Sequence, residues 1–510
     1  MHAEGNGSFS YHGNEMTRTI TTDPSLNPQT RFWILLGIVS ALKVILIACL
    51  SPFVDEAFYW LEGQHLALAY SDLPGLTAWL TRIGVEAFGT NVIGLRAPFF
   101  LLSLLIPWLV WRITRRESDE RSAWIAASFA VLMPLSGTLG IMALPDVPLT
   151  VATLLCVDAG SRLLKKENAW LQLALALSMG ALSHYRFAAV IAVGFVALLW
   201  LPKGREVLRD LRVWLAILIG ALAWVPLLLW NVQNGDAGLK FQLVDRHPWS
   251  LHADGLLFLP VQLIVTTPIL MWALLQSGWT NRHRFVALAG LLLITLFFVL
   301  GFFADTQRIS FHWPFAGFLA LLPLLPQWLD RVKPLVSKAT WTTSAIGLAV
   351  AMMYLLAVAA PSGIQERLGL EFVRSKNFVE WRQVNEWAAF EQKMARDETA
   401  LVAGDFKVAA EIGFARNDPT IKVLAHPLNE RHGRSKQLEI WGQFVSPPQT
   451  CSPRMVVVDG TEIPNEDYPA YLRDLNRAVG PLLGPQTLQL GVGQPTFLLF
   501  TGPRCSASAQ

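Results

Sequence analysis

The sequence predicts a polytopic α-helical membrane protein with about 11 transmembrane helices, followed by a C-terminal α/β domain. Of its 510 residues, 53% are hydrophobic and 15% are charged, and the mean hydropathy is +0.40. In soluble domains, by contrast, about a quarter of the residues are charged. Apolar runs of about 20 residues, the length of a spanning helix, recur up to residue 360. Beyond residue 361 these runs stop, and shorter patterns typical of soluble proteins replace them.

The predicted membrane helices follow a polar N-terminal stretch. Residues 1–30 are rich in Gly, Asn, Ser and Thr, and we expect a disordered cytoplasmic tail there. Between residues 169 and 201, a polar tip at 183–186 interrupts the apolar pattern, which predicts two short helices. The remaining spans are expected near residues 32–50, 92–111, 122–144, 147–160, 214–230, 255–276, 285–303, 313–328 and 341–360.

The distribution of basic residues predicts the orientation of these spans. When the loops are assigned alternately to two sides, about sixteen basic residues fall on one side and about six on the other. The positive-inside rule places the richer set in the cytoplasm. The first large loop at 51–91, the tip at 183–186 and all residues after 361 are therefore expected on the outer side.

The outer segments have their own predicted structure. The aromatic-rich stretch at 55–80 favours amphipathic helices along the membrane surface. In the C-terminal part we expect helices at 377–396 and 468–479, and strands at 400–404, 421–425, 454–459 and 496–500. The chain is thus divided into a tail (1–30), a membrane domain (31–360) and an outer α/β domain (361–510).

Polar side chains that are unusual beside a hydrocarbon layer gather on this outer side, and such residues are commonly functional. Asp55 and Glu56 follow the first span, and Asp146 lies between the third and the fourth. Together with Glu56, the candidates for substrate binding are Tyr59, His65, Asp72, Arg96, His184, Arg186, Asn231, Arg246 and His312.

This set of acids and cations suits a substrate with a lipid tail and a charged head. If the donor is a sugar on a polyprenyl phosphate, the leaving group is a lipid phosphate that Arg or protonated His stabilises. The acceptor hydroxyl then needs a general base. We assign this role to Asp55, and Asp146 is a second candidate carboxylate of the site. Glu56 points about 100° away from Asp55 on a helix, so it either contacts substrate or holds the loop in place.

Each candidate also has an ordinary explanation. Asp146 could cap the helix that follows it. His184 and Arg186 could be interfacial side chains, and His312 could belong to an aromatic belt. The alternative function is a transporter or flippase of a lipid-linked sugar. Such a protein would carry charges near the midplane between repeated halves, whereas these charges lie at one face.

No cofactor is firmly predicted, because the sequence has no Gly-rich phosphate loop and no Cys/His metal spacing. A divalent metal ion held by Asp55, Asp146 and nearby acids stays open. The net charge of +3 is too small to indicate binding to nucleic acid. Cys451 and Cys505 either form a disulfide or remain separate thiols.

Residues 31–325 resemble the bacterial GT-C glycosyltransferases. This family includes the lipid A aminoarabinose transferase, the rhizobial galacturonosyltransferases and, more distantly, the protein O-mannosyltransferases. The motifs that carry the resemblance are Asp55-Glu56-Ala57-Phe58-Tyr59-Trp60, Gln64-His65-Leu66-Ala67, Tyr70-Ser71-Asp72-Leu73-Pro74, Pro145-Asp146-Val147-Pro148-Leu149, Trp230-Asn231, Asp245-Arg246-His247 and Trp313-Pro314.

The resemblance implies a GT-C fold and inverting transfer of a sugar from a polyprenyl-phosphate donor at the periplasmic face of the bacterial inner membrane. The acceptor would be lipid A, the LPS core or another envelope glycan, with protein O-mannosylation as an alternative. It also implies that Asp55 is the base, that Asp146 supports it, and that the α/β domain is periplasmic.

Two positions depart from the family pattern. Relatives often have His or Lys where this chain has Leu73, and Lys where it has His184. Arg186 is therefore the cation expected to contact the donor phosphate.

Overall fold

The computed structural model describes residues 27–245, 249–303, 312–374, 377–395, 399–425, 427–445, 454–463, 466–491 and 493–502. The predictions made for residues 1–26, Arg246, Cys451 and Cys505 lie outside these described residues. The first helix begins at Pro28, inside the stretch predicted as a tail, and the side chain of Asn27 caps it by accepting a hydrogen bond from the Gln29 N–H.

Helices dominate the first 360 residues. The first ten are α1 (Pro28–Cys49), α2 (Val54–Gln64), α3 (Leu76–Phe88), α4 (Val92–Ser103), α5 (Leu105–Glu117), α6 (Glu120–Leu132), α7 (Pro134–Thr138), α8 (Asp146–Leu164), α9 (Trp170–Ser183) and α10 (Phe187–Trp200). They are followed by α11 (Pro202–Val207), α12 (Leu211–Leu222), α13 (Val225–Gln233), α14 (Ala237–Lys240), α15 (Phe258–Thr266), α16 (Pro268–Thr280), α17 (Phe285–Gly301), α18 (Phe315–Leu321), α19 (Leu325–Arg331) and α20 (Pro334–Ala359).

Several of these helices are long and apolar enough to cross a membrane. Within the described residues there are five such spans: α1, α4 with α5, α8, α12 with α13, and α20. The α15–α16 pair adds a bent sixth, and α9, α10 and α17 are shorter apolar helices. The two short helices expected around the tip at 183–186 are confirmed as α9 and α10. The figure of about 11 spans stays a prediction.

Several predicted spans are interrupted in the structure. The run at 122–144 is divided into α6 and α7, and Pro134 begins the second piece. The run at 255–276 becomes α15 and α16, which meet at 103°. Thr267 adopts a left-handed φ of 72°, and Pro268 begins the next helix without an amide hydrogen to continue the first. The run at 313–328 is divided into α18, a 3₁₀ turn and α19, and Pro323 and Pro326 lie at the starts of the second and third pieces.

The C-terminal α/β unit, defined here as residues 377–502, is built around a five-stranded sheet. Its strands are β1 (Ala400–Ala403), β2 (Lys422–Val423), β3 (Arg454–Asp459), β4 (Leu483–Gln489) and β5 (Thr496–Thr501), in the order β2-β1-β3-β5-β4. β1 runs parallel to β2 and β3, whereas β5 runs antiparallel to β3 and β4. Helix α21 (Ser362–Arg367) precedes the unit, and its helices are α22 (Trp381–Ala395), α23 (Phe406–Arg416), α24 (Pro427–Arg431), α25 (Ser435–Ile440) and α26 (Tyr468–Val479).

This unit shares a hydrophobic core with the outer loops of the helical part. Helix α2 packs on α3 on one side and on α23 on the other. Phe58 of α2 meets Phe406 of α23 edge to face at 5.6 Å, and Trp60 meets Phe414 at 5.6 Å. The stretch predicted as surface helices does form α2 and α3, but α2 is buried between two layers of protein. Helix α2 therefore lies where the two parts of the chain meet.

Candidate active site

Helix α2 is anchored by a buried ion pair. Glu56 and Arg96 are both 0% exposed, and the carboxylate accepts hydrogen bonds from Nε at 2.8 Å and Nη2 at 2.7 Å. Glu56 also accepts hydrogen bonds from the N–H groups of Phe53 at 2.9 Å and Ala143 at 2.7 Å. The remaining guanidinium hydrogens go to the carbonyls of Ile47, Leu50 and Ser51.

These bonds tie together the end of α1, the start of α2, α4 and the loop before α8. A buried bidentate pair of this kind defines one geometry. Because both side chains are enclosed and already paired, the expected substrate contacts of Glu56 and Arg96 are not available to them. The alternative for Glu56, that it holds the loop in place, describes what the structure contains, and Arg96 has the same positioning role.

Asp55, the neighbour of Glu56, points at a cation from the C-terminal α/β unit. Arg434 Nη2 donates to Asp55 Oδ1 at 3.0 Å and lies 2.9 Å from Asp72 Oδ2. The Asp55 side chain is 35% exposed, whereas those of Asp72 and Arg434 are 6% and 5% exposed. Asp55 is thus the accessible member of a buried acid–base cluster.

Aromatic rings surround this guanidinium. Its carbon lies 3.9 Å from the centre of the Phe58 ring, 5.3 Å from that of Phe406 and 5.6 Å from that of Tyr59. Burial would lower the pKa of Arg434, but Asp72 and Asp55 raise it above its ordinary value. Burial, and then the charge of Asp55, raises the pKa of Tyr59 well above its ordinary value. At neutral pH Arg434 is therefore charged and Tyr59 is a neutral phenol.

Glu62 adds a second carboxyl group behind Asp72. It is fully buried, and burial and then Asp72 raise its pKa well above the ordinary value. Neither Glu62 oxygen, nor Asp72 Oδ1, has a hydrogen-bond donor among the described residues when both groups are treated as ionised. A proton on Glu62 can be donated to Asp72 in a hydrogen bond, in keeping with the raised pKa of Glu62.

A second cluster lies at the start of α8. Arg186 Nη2 donates to Asp146 Oδ1 at 2.7 Å, and His312 Nε2 lies 3.4 Å from the same oxygen. Pro145 is the N-cap residue of α8 and Asp146 is the first helical residue, so Asp146 does not occupy the capping position. His184 Nδ1 accepts from the Arg186 backbone N–H at 3.1 Å, and the Arg186 guanidinium lies 5.6 Å from the centre of the Trp313 ring.

This second cluster forms the polar end of a cavity. Asp146, Arg186 and His312 contribute to its wall, and the other lining side chains are mainly apolar. The apolar part includes Leu135, Leu139, Leu149, Val190, Leu293, Phe297 and Phe315. The wall of this cavity therefore combines apolar side chains with a polar end that carries the Asp146 carboxylate and the Arg186 guanidinium.

The two clusters adjoin through the tip between α9 and α10. Tyr185 lies next to Arg186. Burial raises the pKa of Tyr185 to about 12; the charge of Asp72 acts in the same direction and the hydrogen bond with Asn231 opposes it. Asn231 is buried, donates to the Tyr185 hydroxyl at 3.3 Å and accepts from the Leu239 N–H at 2.7 Å. Its polar atoms therefore hold the tip against the segment after α13.

The remaining candidates occupy supporting positions. His65 ends α2, where Nδ1 lies 3.2 Å from the Leu61 carbonyl and the ring stacks on Trp441 at 4.7 Å. Tyr59 lies within the Arg434 cluster, and its carbonyl accepts a hydrogen bond from the Thr81 hydroxyl. Through its stacking on Trp441, His65 connects α2 to the C-terminal α/β unit. Arg246 lies outside the described residues.

Two members of the site are absent from the sequence-based list. Glu62 is seven residues after Asp55, which is two helical turns and the same face, so that spacing could have revealed it. Arg434 lies 379 residues from Asp55 in a polar segment that resembles an ordinary solvated surface, and nothing in a single sequence links the two. Across the described ranges, no group of three or more His, Cys, Asp or Glu is arranged to hold a metal ion.

Comparison with known proteins gives matches to one kind of enzyme. The family model for dolichyl-phosphate-mannose-protein mannosyltransferase matches residues 72–230. The lipid A galacturonosyltransferase RgtD of Rhizobium johnstonii is 28% identical over 232 residues, which cover 44% of this chain and 48% of the relative. An undecaprenyl phosphate-alpha-4-amino-4-deoxy-L-arabinose arabinosyl transferase of Pseudomonas fluorescens is 26% identical over 62% of this chain and 58% of its own length. The chain thus spans about half the length of the curated relatives it matches.

The fold matches a solved structure over nearly its whole length. ArnT from Cupriavidus metallidurans, crystallised with undecaprenyl phosphate, superposes with a TM-score of 0.61 at 15% identity, covering 92% of this chain and 99% of that one. At this identity the likeness establishes the fold. The chain is a polytopic helical membrane protein with that fold.

Proposed function

We propose that this chain, whose resemblance to the bacterial GT-C glycosyltransferases is confirmed by its relatives, is an inverting glycosyltransferase. It moves a sugar from a polyprenyl-phosphate donor to an envelope glycolipid, with Asp55 as general base. The observation that carries the proposal is the cavity with apolar walls and a cationic end at Arg186 and His312. That combination suits a polyprenyl tail and its phosphate.

The leaving group is stabilised by the second cluster. When the bond between the anomeric carbon and the phosphate oxygen breaks, the electron pair stays on the lipid phosphate. Arg186, and His312 when protonated, can donate charge-assisted hydrogen bonds to it. Asp146 holds Arg186 and His312 through one oxygen, so its role is to position these donors. Arg186 therefore supplies the positive charge that relatives often have at the positions of Leu73 and His184.

The cluster formed by Asp55, Asp72 and Arg434 supplies the base. Asp55 is partly exposed, and Arg434 engages only its Oδ1 among the described residues, so Oδ2 is available to a substrate hydroxyl. Oδ2 takes the hydroxyl proton while the acceptor oxygen bonds to the anomeric carbon from the side opposite the phosphate. This attack inverts the configuration.

The site belongs on the outer side in this proposal. The excess of basic residues in the opposite loops supports a periplasmic site and a periplasmic C-terminal α/β unit. An inner-membrane protein with about 11 spans would place the helix ends at Asp55, Asp146 and Arg186 on one surface. The donor then reaches the site from the outer leaflet.

The acceptor and the alternatives follow from the same observations. RgtD is named for lipid A. A second Rhizobium johnstonii relative, RgtA, which is 27% identical over 55% of this chain and 60% of its own length, is named as a lipopolysaccharide core galacturonosyltransferase. These names favour a glycolipid acceptor over the protein acceptor in the description of the family model. A flippase would carry its charged groups near the midplane. Here Asp146 is the first residue of α8, and Arg186 lies between α9 and α10.

The experiment compares envelope glycolipids from cells with and without the protein by mass spectrometry. We expect one sugar to be missing without it, and missing again when only Asp55→Asn is present. Glu86→Gln, an exposed carboxylate change on α3, is the matched control and should restore the sugar. Restoration by Asp55→Asn would contradict the proposal, and a changed protein glycan with unchanged glycolipids would favour the mannosyltransferase alternative.

A further inference from the structure

Within the described part of the C-terminal α/β unit, Arg434 contacts Asp55 directly, and its position is unusual for a structural residue. It lies 379 residues away in sequence, yet Nη2 meets Asp55 Oδ1 at 3.0 Å. We infer that Arg434 is a positioning residue for the base, through which the C-terminal α/β unit completes the active site. This inference rests on the proposed function, because it gives Arg434 its role through Asp55.

The guanidinium is held in place before any substrate arrives. Arg434 precedes α25, and its backbone N–H donates to the Asn429 carbonyl at 2.8 Å. Asn429 in turn accepts from the Phe406 N–H at 2.9 Å and donates to the Leu424 carbonyl at 3.0 Å. The Phe58 ring of α2 covers the guanidinium at 3.9 Å. The side chain is therefore clamped between the two parts of the chain.

The hydrogen bonds of this guanidinium are concentrated on one nitrogen. Nε and Nη1 of Arg434 are buried without a hydrogen-bond partner among the described residues. Nη2, in contrast, contacts the carboxylates of both Asp55 and Asp72. Leaving two buried donors unpaired costs stability. A guanidinium placed only to stabilise the interface would be expected to use them. The arrangement instead directs Nη2 at the two carboxylates.

The carboxylates of Asp55 and Asp72 have different roles in this arrangement. Asp72 is buried with Arg434 and keeps its charge paired, while Asp55 is exposed enough to meet a substrate. When Asp55 takes the proton of the acceptor hydroxyl, it becomes neutral and its attraction for Arg434 falls. Arg434 then still has Asp72 as a partner, so no unpaired buried charge appears during the reaction. Asp72 thus supports Arg434, and Arg434 orients Asp55.

The test uses the full-length purified enzyme with Arg434→Met, which keeps an apolar stem against Phe58 and removes the charge. A misplaced reacting group costs about 100-fold in rate, and we expect that loss in kcat with the donor KM within about twofold. Arg434→Lys should recover part of the rate, because it restores the charge but not the planar fork. Added guanidinium, below unfolding concentrations, should also raise the rate of Arg434→Met.

Arg431→Met is the matched control, because Arg431 lies three residues earlier and is exposed. It should behave as the wild type and should not respond to guanidinium. Unchanged kcat in Arg434→Met would overturn the inference, as would a loss that neither Lys nor guanidinium recovers. If Asp55→Asn retains transfer, the proposed function fails instead. If Asp55→Asn is inactive and Arg434→Met is normal, this inference fails alone.

Discussion

The buried pair of Glu56 and Arg96 gives the largest expected effect on stability. Arg96→Met removes two hydrogen bonds to a carboxylate that is 0% exposed, and it leaves three backbone carbonyls without this donor. Breaking a buried ion pair by removing one partner costs about 3–5 kcal/mol. We expect a loss of that size in the free energy of unfolding. Glu56→Gln should cost a comparable amount, because it leaves a buried guanidinium without its counter-charge.

The assay is equilibrium unfolding of the purified protein in mixed detergent micelles, followed by the fluorescence of its 20 tryptophans. Arg82→Met is the control, because its ion pair with Glu86 is 34% and 61% exposed. Such pairs contribute about 0–1 kcal/mol.

The double variant of Glu56→Gln and Arg96→Met should cost less than the sum of the single changes, because it leaves no unpaired charge. A loss below about 1 kcal/mol for Arg96→Met, equal to that of Arg82→Met, would refute the anchoring role.

Two further predictions concern the carboxyl groups of the site. Asp146→Asn weakens the charge-assisted bond that holds Arg186, and the loss of about 1.5 kcal/mol should raise the donor KM about tenfold in transfer kinetics; an unchanged KM would count against a phosphate site there. Glu62→Gln keeps shape but cannot ionise. Because burial and Asp72 raise the Glu62 pKa in the folded protein, the wild type loses stability as pH rises above the ordinary value of 4.5, and the variant does not. Unfolding measured from pH 5 to 9 should therefore favour the variant increasingly at high pH, and a difference that shrinks with pH would contradict a protonated Glu62.

Local patterns in the sequence predict much of the fold. Strand β3 over Arg454–Asp459 and helix α26 over Tyr468–Val479 have the predicted bounds, because each is a short segment with clear periodicity. Helix α23 was missed, although Asp405 accepts from the N–H groups of Lys407 and Val408 as an N-cap does. The bend at Thr267 was also missed, since the left-handed conformation there depends on tertiary packing.

Some residues of the site can likewise be predicted from the sequence, and others cannot. Asp55, Asp146, Arg186 and His312 could be found because polar groups beside apolar runs are conspicuous and sort to one side of the membrane. Arg434 could not be found, because its partner lies in another part of the chain and only folding brings them together. The role of Glu56 also needed the structure, since its distance from Arg96 in space is not encoded in its distance in sequence.

The central claim is that Asp55 removes the acceptor proton during sugar transfer. The direct measurement is the turnover of purified Asp55→Asn, reconstituted in liposomes with a polyprenyl-phosphate sugar and the acceptor glycolipid, beside wild type and Glu86→Gln. A general base contributes about 10²–10⁴-fold, so Asp55→Asn should turn over more slowly by that factor while its melting temperature matches the wild type. Turnover by folded Asp55→Asn at the rate of Glu86→Gln would contradict the account.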